Sequence, residues 1–113
     1  MEIEFAKYHA LGNDFIVIEQ SDLTVTKRAM PRLARTLCER RTGVGADGVL
    51  LLSDSASGDC KMDVFNADGG WAEKSGNGLR IAGVHQALML DRKADGSTFR
   101  IETGTSVDTV SIL

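Results

Sequence analysis

A short glycine-rich segment ahead of a predicted helix is the part of this sequence best suited to chemistry. Ser75-Gly76-Asn77-Gly78 precedes an apolar run that begins at Leu79. Free backbone N–H groups at the start of a helix, together with the positive end of its dipole, attract a carboxylate or a phosphate. The segment therefore predicts an anion-binding site. The structural alternative is that the glycines only shape a turn while Ser75 or Asn77 caps the helix.

This segment does not match either of the common phosphate-binding motifs. No Gly-Lys-Ser/Thr follows four spacer residues, and Ile81 stands where a dinucleotide fingerprint would have its third glycine. From Asn66 to Gly78 the chain nevertheless holds four glycines, two asparagines and one aspartate. Such a composition makes tight turns and brings backbone N–H groups close to a ligand, which favours this stretch as the site.

The cysteines and histidines are interpreted as structural residues. Cys38 lies on the apolar side of a predicted helix and Cys60 lies beside a predicted strand, so both are expected to be inert packing residues. His9 and His85 have no acidic or metal-ligating partner nearby in the sequence, which indicates packing or surface roles. Two cysteines are also too few for a disulfide framework or a zinc site, and they favour a reduced, cytoplasmic protein.

Length and charge narrow the class of protein further. The chain has 113 residues, about one domain, and a net charge of -3 from 13 Lys+Arg and 16 Asp+Glu. Without a basic excess, a nucleic-acid partner is not expected. The longest near-apolar stretch, Val49–Leu52, is far shorter than the ~20 residues that span a bilayer, and the first residues do not form a signal peptide. We therefore expect neither a membrane span nor secretion.

The elements that must position the glycine-rich segment follow from hydrophobic periodicity. Alternation near residues 3–7 and a β-branched run at 15–18 flank Gly12-Asn13-Asp14, which predicts an N-terminal hairpin. Apolar residues recur at helical spacing from Pro31, which predicts an amphipathic helix ending near Arg41-Thr42-Gly43. Further strands are predicted over 49–52, 62–65, 99–103 and 107–112.

The helix that follows the glycine-rich segment is expected to be largely buried. From about Asn77 to Asp91 its apolar residues occupy more than one face. The final strand, Val107–Ile112, has no predicted neighbour after it. A partner, or a continuation of the polypeptide, is expected to pair with its edge.

Three segments together resemble the diaminopimelate epimerase family. They are Lys7–Phe15 (KYHALGNDF), Arg41–Gly48 (RTGVGADG) and Phe65–Arg80, which contains FNADG and SGNGLR. The resemblance covers essentially the whole chain but only the first half of such an enzyme. It implies an α+β fold in which a strongly curved sheet surrounds a central buried helix. Residues 1–113 would form the N-terminal domain, and the second domain would be absent from this chain.

The same resemblance implies a cofactor-independent isomerase that converts LL- to meso-diaminopimelate in lysine biosynthesis. Enzymes of the family use two cysteines, one per domain, on opposite faces of the substrate: one thiolate removes the α-proton and the other thiol returns a proton. No pyridoxal phosphate or metal takes part. Here Ser75 stands at the position of the first cysteine, either as a natural feature or as an engineered one. A serine hydroxyl does not ionise usefully near neutral pH without a paired base, so Ser75 is expected to bind substrate rather than abstract a proton.

Four further site residues are implied by matching positions. Asn13 and Asn66 resemble the asparagines of the family that contact substrate, and Gly76 and Asn77 resemble the pair that offers N–H groups to the α-carboxylate. A side-chain amide can donate to a carboxylate and accept from an ammonium, as a zwitterionic amino acid requires. The alternative for Asn13 and Asn66 is a turn amide bonded to its own backbone.

Three functions remain open from the sequence. The chain is the N-terminal domain of a diaminopimelate-epimerase-like isomerase that is inactive alone, or a non-catalytic amino-acid-binding relative, or an isomerase of the wider superfamily with a base other than cysteine. Its expected partners are a small amino-acid substrate and either the missing C-terminal half or a second copy of the chain. A homodimer would place two residues 75 across one cleft.

Overall fold

The computed structural model describes residues 3–10, 12–23, 26–73, 75–89, 97–104 and 106–112. These residues form seven strands and two α-helices, with single turns of 3₁₀-helix at Gln20–Asp22 and Lys27–Ala29. In chain order the elements are β1 (Ala6–Ala10), β2 (Asn13–Glu19), α1 (Met30–Cys38), β3 (Gly48–Ser53), β4 (Cys60–Asn66), β5 (Trp71–Ala72), α2 (Gly76–Met89), β6 (Ser97–Thr103) and β7 (Ser106–Ile112).

One mixed sheet contains all the described strands, in the order β1-β2-β3-β4-β6-β7, with the short β5 also paired to β4. Four pairs of strands that follow one another in the chain are antiparallel: β1 with β2, β3 with β4, β4 with β5, and β6 with β7. The pairs β2–β3 and β4–β6 are parallel, and their connections contain α1 and α2 respectively. A parallel pair needs such a long crossover, because a tight turn can only reverse the chain.

The two helices cover opposite faces of the sheet, and β3 shows this most clearly. Val49 and Leu51 belong to the apolar cluster that includes Met30, Ala34 and Cys38 of α1, whereas Leu50 and Leu52 belong to the cluster that includes residues of α2. All four of these side chains are completely buried. A strand that is covered on both faces has apolar residues at every position. Residues 49–52 therefore do not alternate between apolar and polar side chains.

The structure confirms the predicted fold class, an α+β domain with a curled sheet around a helix. It also pairs β3 with β4 and β6 with β7, and it confirms the predicted N-terminal hairpin, with Gly12 in the turn at φ 88°. That hairpin begins at Ala6, however, because residues 3–5 lie outside any strand. Nothing among the described residues pairs with the outer edge of β7, so the expected partner for this edge stays a prediction.

Both helices differ from prediction in detail. Helix α1 ends at Cys38 rather than near residue 43, because Glu39 is extended and the N–H groups of Gly43 and Gly45 fold back onto the carbonyl oxygens of Glu39 and Leu37. Helix α2 begins at Gly76, and the expected end at residue 91 lies outside the described residues. The prediction of a largely buried α2 was wrong for one side, which exposes three apolar residues: Val84, Leu88 and Met89.

Candidate functional site

Strand register brings the ends of β2, β3 and β4 together at one end of the sheet. Phe15 lies opposite Gly48, and Gly48 lies opposite Asn66. Asn13, the first residue of β2, and Asn66, the last residue of β4, therefore lie at this same end. We call it the site end, and we call the end marked by Glu19, Ser53 and Cys60 the opposite end.

Helix α2 begins at the site end and contacts Asn13 directly. The amide nitrogen Nδ2 of Asn77 donates to Oδ1 of Asn13 at 2.7 Å. Ser75 is half-buried, and its Oγ accepts the backbone N–H of Gly78 at 3.1 Å. The capping interaction that was the structural alternative for Ser75 is thus present, and it coexists with the contact between the two asparagines.

The helix start keeps N–H groups that the helix itself cannot satisfy. The N–H of Leu79 bonds to the carbonyl oxygen of Ser75 at 2.8 Å, and that of Gly78 bonds to Ser75 Oγ. The N–H groups of Gly76 and Asn77 lie in the first turn, where no preceding helical carbonyl exists. Gly76 is exposed. The geometry at Gly76 and Asn77 is therefore suitable for an anion.

A cluster of charges lies directly behind Asn13. Arg40 donates to both carboxylate oxygens of the buried Asp14, at 3.1 and 3.3 Å, and to Oδ1 of Asp47 at 3.1 Å. Lys7 adds a fourth charge, 3.4 Å from Asp14. The hydrogen bonds from Arg40 hold the pKa of Asp14 well below its usual range, and Asp14 in turn raises the pKa of Arg40. Asp14 therefore stays ionised at neutral pH, and its hydrogen bonds to Arg40 support the start of β2.

Asp47 joins this charge cluster to the predicted site residues. Its Oδ2 accepts the Asp14 N–H at 2.9 Å and Nδ2 of Asn13 at 3.4 Å. Its carbonyl oxygen accepts the N–H of Ala67, the residue after Asn66. Sequence reasoning did not single out Asp47, Asp14 or Arg40. The only signal was that Asp14 and Asp47 fall within two of the segments that carry the family resemblance.

Arg80 contacts one of the predicted site residues. Its guanidinium donates to Oδ1 of Asn77 at 3.2 Å. Asn66 is exposed at the end of β4, and its backbone closes a turn with Gly69 and Gly70. The structure thus joins Asn13 and Asn77 by a hydrogen bond and places Asn66 at the same end of the sheet, without showing a contact between Asn66 and the other two.

Both cysteines are buried free thiols: Cys60 begins β4 at the opposite end, and Cys38, the last residue of α1, lies near the charges of Asp14, Arg40 and Asp47. Burial raises the pKa of the Cys60 thiol to about 11, and burial also raises that of Cys38. A protonated, buried thiol is a poor nucleophile and a poor base. His85 is buried at the opposite end, between the hydroxyl of Tyr8 at 2.9 Å and Oε1 of Glu19 at 3.0 Å.

Within the described ranges, no group of three or more metal-ligating side chains occurs. No helix in that part of the chain is long and apolar enough to cross a membrane. A cavity of about 550 Å³ lies at the opposite end, between Glu19, Lys27, Ser53 and Lys61. A smaller one, about 180 Å³, lies beside His85 and Met89. Neither cavity is lined by a predicted site residue.

Solved structures share this fold. The Bacillus anthracis phenazine biosynthesis protein of the PhzF family is 17% identical, with a TM-score of 0.66 over 96% of this chain and 34% of that protein. Methylitaconate-delta-isomerase is 12% identical, with a TM-score of 0.72 over 100% of this chain and 61% of that protein. At these identities the likeness establishes the architecture alone: an α+β domain whose curled sheet surrounds a helix.

Sequence relatives identify the family within that architecture. The profile of the family described as Diaminopimelate epimerase matches residues 5–110. Diaminopimelate epimerase 1 of Nostoc sp. is 40% identical over 96% of this chain and 39% of its own length, and the diaminopimelate epimerase of Synechococcus elongatus is 42% identical over 95% of this chain and 38% of its own. The chain belongs to the diaminopimelate epimerase family and spans about two-fifths of the length of these relatives.

Proposed function

We propose that this chain is the N-terminal domain of a cofactor-independent amino-acid epimerase, with one α-amino-acid end of diaminopimelate bound at the start of α2. The observation that carries the proposal is the meeting of Ser75, Asn77 and Asn13 at that helix start, in a chain of this family. The relatives are named for epimerisation of this substrate.

The site offers both kinds of partner that a zwitterion needs. The N–H groups of Gly76 and Asn77, at the positive end of α2, suit the α-carboxylate. The amides of Asn13 and Asn66 can each accept a hydrogen bond from the α-ammonium. Ser75 Oγ already accepts the Gly78 N–H, which leaves its own hydrogen available to a ligand oxygen.

Inversion at the α-carbon needs a base on one face of that carbon and an acid on the other. Ser75 is at the position where the family has its first cysteine, and no base bonds to its hydroxyl within the described residues. We propose that Ser75 binds and does not abstract a proton, because an unassisted serine stays protonated at neutral pH. The opposite face would come from a second domain or from a second copy of the chain.

The serine also supports a second candidate, a non-catalytic relative that binds an amino acid. Replacing sulfur by oxygen keeps the hydrogen bond to Gly78 and the shape of the helix start while removing a group that can ionise. Either function fits a cytoplasmic protein, where the free thiols of Cys38 and Cys60 stay reduced.

Binding is tested by calorimetric titration of the chain with LL-diaminopimelate, with 1,5-diaminopentane as a ligand that lacks both carboxylates. We expect heat only from the amino acid. Asn13→Ala is expected to lower the affinity about tenfold, the effect of one hydrogen bond to a charged group. Asp54→Asn, in the loop at the opposite end, is the control and should bind normally. Equal binding by Asn13→Ala would place the ligand elsewhere.

Catalysis is tested by following loss of the α-proton signal of LL-diaminopimelate in deuterated water. We expect no exchange from the chain or from Ser75→Cys alone, and epimerisation when Ser75→Cys is combined with the C-terminal part of the Nostoc relative. One domain supplies only one face of the reacting carbon. Exchange by the unaltered chain that disappears in Ser75→Ala would contradict the binding-only role.

A homodimer is the arrangement that could make Ser75→Cys active without added protein. Two copies related by a twofold axis would place two thiols across one cleft. Light scattering coupled to size exclusion measures the association directly. Turnover by Ser75→Cys that rises with the square of protein concentration would establish a working dimer and overturn the need for a C-terminal domain.

A further inference from the structure

Four side chains at the site end form one continuous series of hydrogen bonds. Arg80 donates to Oδ1 of Asn77 at 3.2 Å, and Asn77 donates through Nδ2 to Oδ1 of Asn13 at 2.7 Å. Asn13 donates through its own Nδ2 to Oδ2 of Asp47 at 3.4 Å. Every step runs in the same direction, from donor to acceptor.

The two end residues of this series determine how both amides are turned. A side-chain amide has an oxygen that accepts and a nitrogen that donates, so it can be rotated in two ways. A guanidinium only donates, and an ionised carboxylate only accepts. Arg80 therefore requires the oxygen of Asn77 to face it, and Asp47 requires the nitrogen of Asn13 to face it. The central bond between the two asparagines then joins a donor to an acceptor.

Asp47 is itself held firmly enough to act as such a support. Its backbone N–H donates to Oδ1 of Asp14 at 3.0 Å, while its Oδ2 accepts the Asp14 N–H at 2.9 Å. Its other oxygen, Oδ1, accepts from Arg40 at 3.1 Å. Each carboxylate oxygen of Asp47 thus has a partner other than Asn13, which fixes the direction in which the carboxylate points.

We propose that Asp47 and Arg80 are positioning residues that fix the amide orientation of Asn13 and Asn77 for a bound amino acid. After the series is made, each amide keeps one N–H for a ligand carboxylate and one oxygen lone pair for a ligand ammonium. Reversal of either amide would break the central hydrogen bond and move these groups. The proposal rests on the proposed function, because it concerns the same site.

Arg80 gives the cleaner test, because it is exposed and its proposed role depends on one hydrogen bond, the one that it donates to Asn77. Arg80→Met removes the donor and is expected to weaken binding of LL-diaminopimelate about fivefold, with thermal stability unchanged. Arg80→Lys restores a donor and should restore affinity. Arg80→Glu presents an acceptor instead of a donor, so Asn77 would have to turn its side-chain nitrogen toward position 80. This variant should weaken binding at least about tenfold.

Asp47→Asn supplies the complementary test, with Asp54→Asn as the charge-matched control. An amide at 47 is isosteric with the carboxylate but fits either orientation of Asn13. Affinity is expected to fall about tenfold in Asp47→Asn and to stay unchanged in the control. Asp47→Asn also removes a partner of Arg40 and can therefore change the stability of the fold. The Arg80 variants leave Arg40 and Asp47 in place, so they test the orientation of the two amides separately from stability.

A readout that needs no ligand keeps this inference distinct from the proposed function. In ¹⁵N-labelled chain, the hydrogen-bonded side-chain NH₂ proton of Asn13 and that of Asn77 should be shifted downfield from the free-amide values and exchange slowly with solvent. Arg80→Glu and Asp47→Asn should move these shifts toward those of a free amide, whereas Arg80→Lys should preserve them. If the unaltered chain binds no amino acid but these shifts respond as stated, the proposed function fails and the orientation role stands. Unchanged NH₂ signals and affinity in both variants would overturn the inference.

Discussion

The two ends of the sheet differ in how their polar groups are used. At the opposite end, several polar groups pair with one another: His85 bonds to Tyr8 and Glu19, and Lys27 lies 2.9 Å from Oδ2 of Asp63. At the site end, the asparagines and the start of α2 keep donors and acceptors that their neighbours among the described residues do not use. The larger cavity lies at the opposite end. Unused hydrogen-bonding capacity at a helix start, rather than volume, therefore distinguishes the candidate site.

Packing differs between the ends as well, and β3 reaches both. A Cβ on Gly48, at the site end, would lie 2.9 Å from both a ring carbon of Phe15 and the carbonyl oxygen of Phe65. Ser53, at the other end of the same strand, lines the cavity of about 550 Å³. There is no room for one methyl group at Gly48, whereas Ser53 borders open space.

The largest expected effect comes from adding one carbon at each end of β3. Gly48→Ala should lower the free energy of unfolding by about 3 kcal/mol, because a backbone oxygen and a buried ring must both move. Ser53→Thr adds a methyl group beside open space and should change it by less than about 0.5 kcal/mol. Urea unfolding followed by circular dichroism measures both. Equal losses would show that the two ends are packed alike.

The reactivity of a thiol at each end of the sheet provides a second test of the difference between the two ends. Burial raises the pKa of Cys60, at the opposite end, to about 11, so its reaction with a thiol reagent at pH 7 should be at least about 100-fold slower than that of a free thiol. In Ser75→Cys, the new thiol lies at the start of α2, where the helix dipole favours the thiolate, and it should react at least as fast as a free thiol.

Mass mapping of the labelled chain assigns the reacted position. In urea, Cys38, Cys60 and the thiol introduced by Ser75→Cys should react at similar rates, which controls for intrinsic reactivity. Faster labelling of Cys60 than of the introduced thiol in the folded chain would contradict the distinction between the two ends.

The charge cluster behind Asn13 predicts a pH dependence specific to the site end. Arg40 lowers the pKa of Asp14 in the folded chain, so the stabilisation from Asp14 is complete above about pH 4 and is lost as pH falls through the folded pKa. Asp14→Asn should lower the free energy of unfolding at pH 7 by about 2 kcal/mol and flatten its fall between about pH 4 and pH 2.5.

Denaturant unfolding at a series of pH values provides this measurement. Asp54→Asn, at the opposite end, serves as the matched control and should keep the slope of the unaltered chain. If Asp14→Asn shows the same slope below about pH 4 as the unaltered chain, then the cluster with Arg40 does not hold this carboxyl ionised in the folded state.

Local sequence determined the elements and the segment that carries the candidate site. Turn residues at Gly12, helical spacing after Pro31 and glycines around Ser75 act on neighbours in the chain, so the first hairpin, both helices and the start of α2 could be predicted. The resemblance to a known family added Asn13 and Asn66, whose own surroundings suggested only turn amides.

Tertiary structure alone decided which of these elements meet. The parallel pairs β2–β3 and β4–β6 depend on crossovers through α1 and α2, and neither pairing has a local signal. Asn77 reaches Asn13 across 64 residues, and Asn13 reaches Asp47 across 34. Side-chain type states what each group can donate or accept, but a hydrogen bond also requires two atoms about 3 Å apart. Only the folding of the sheet around α2 supplies that distance, and with it the roles of Asp47 and Arg80.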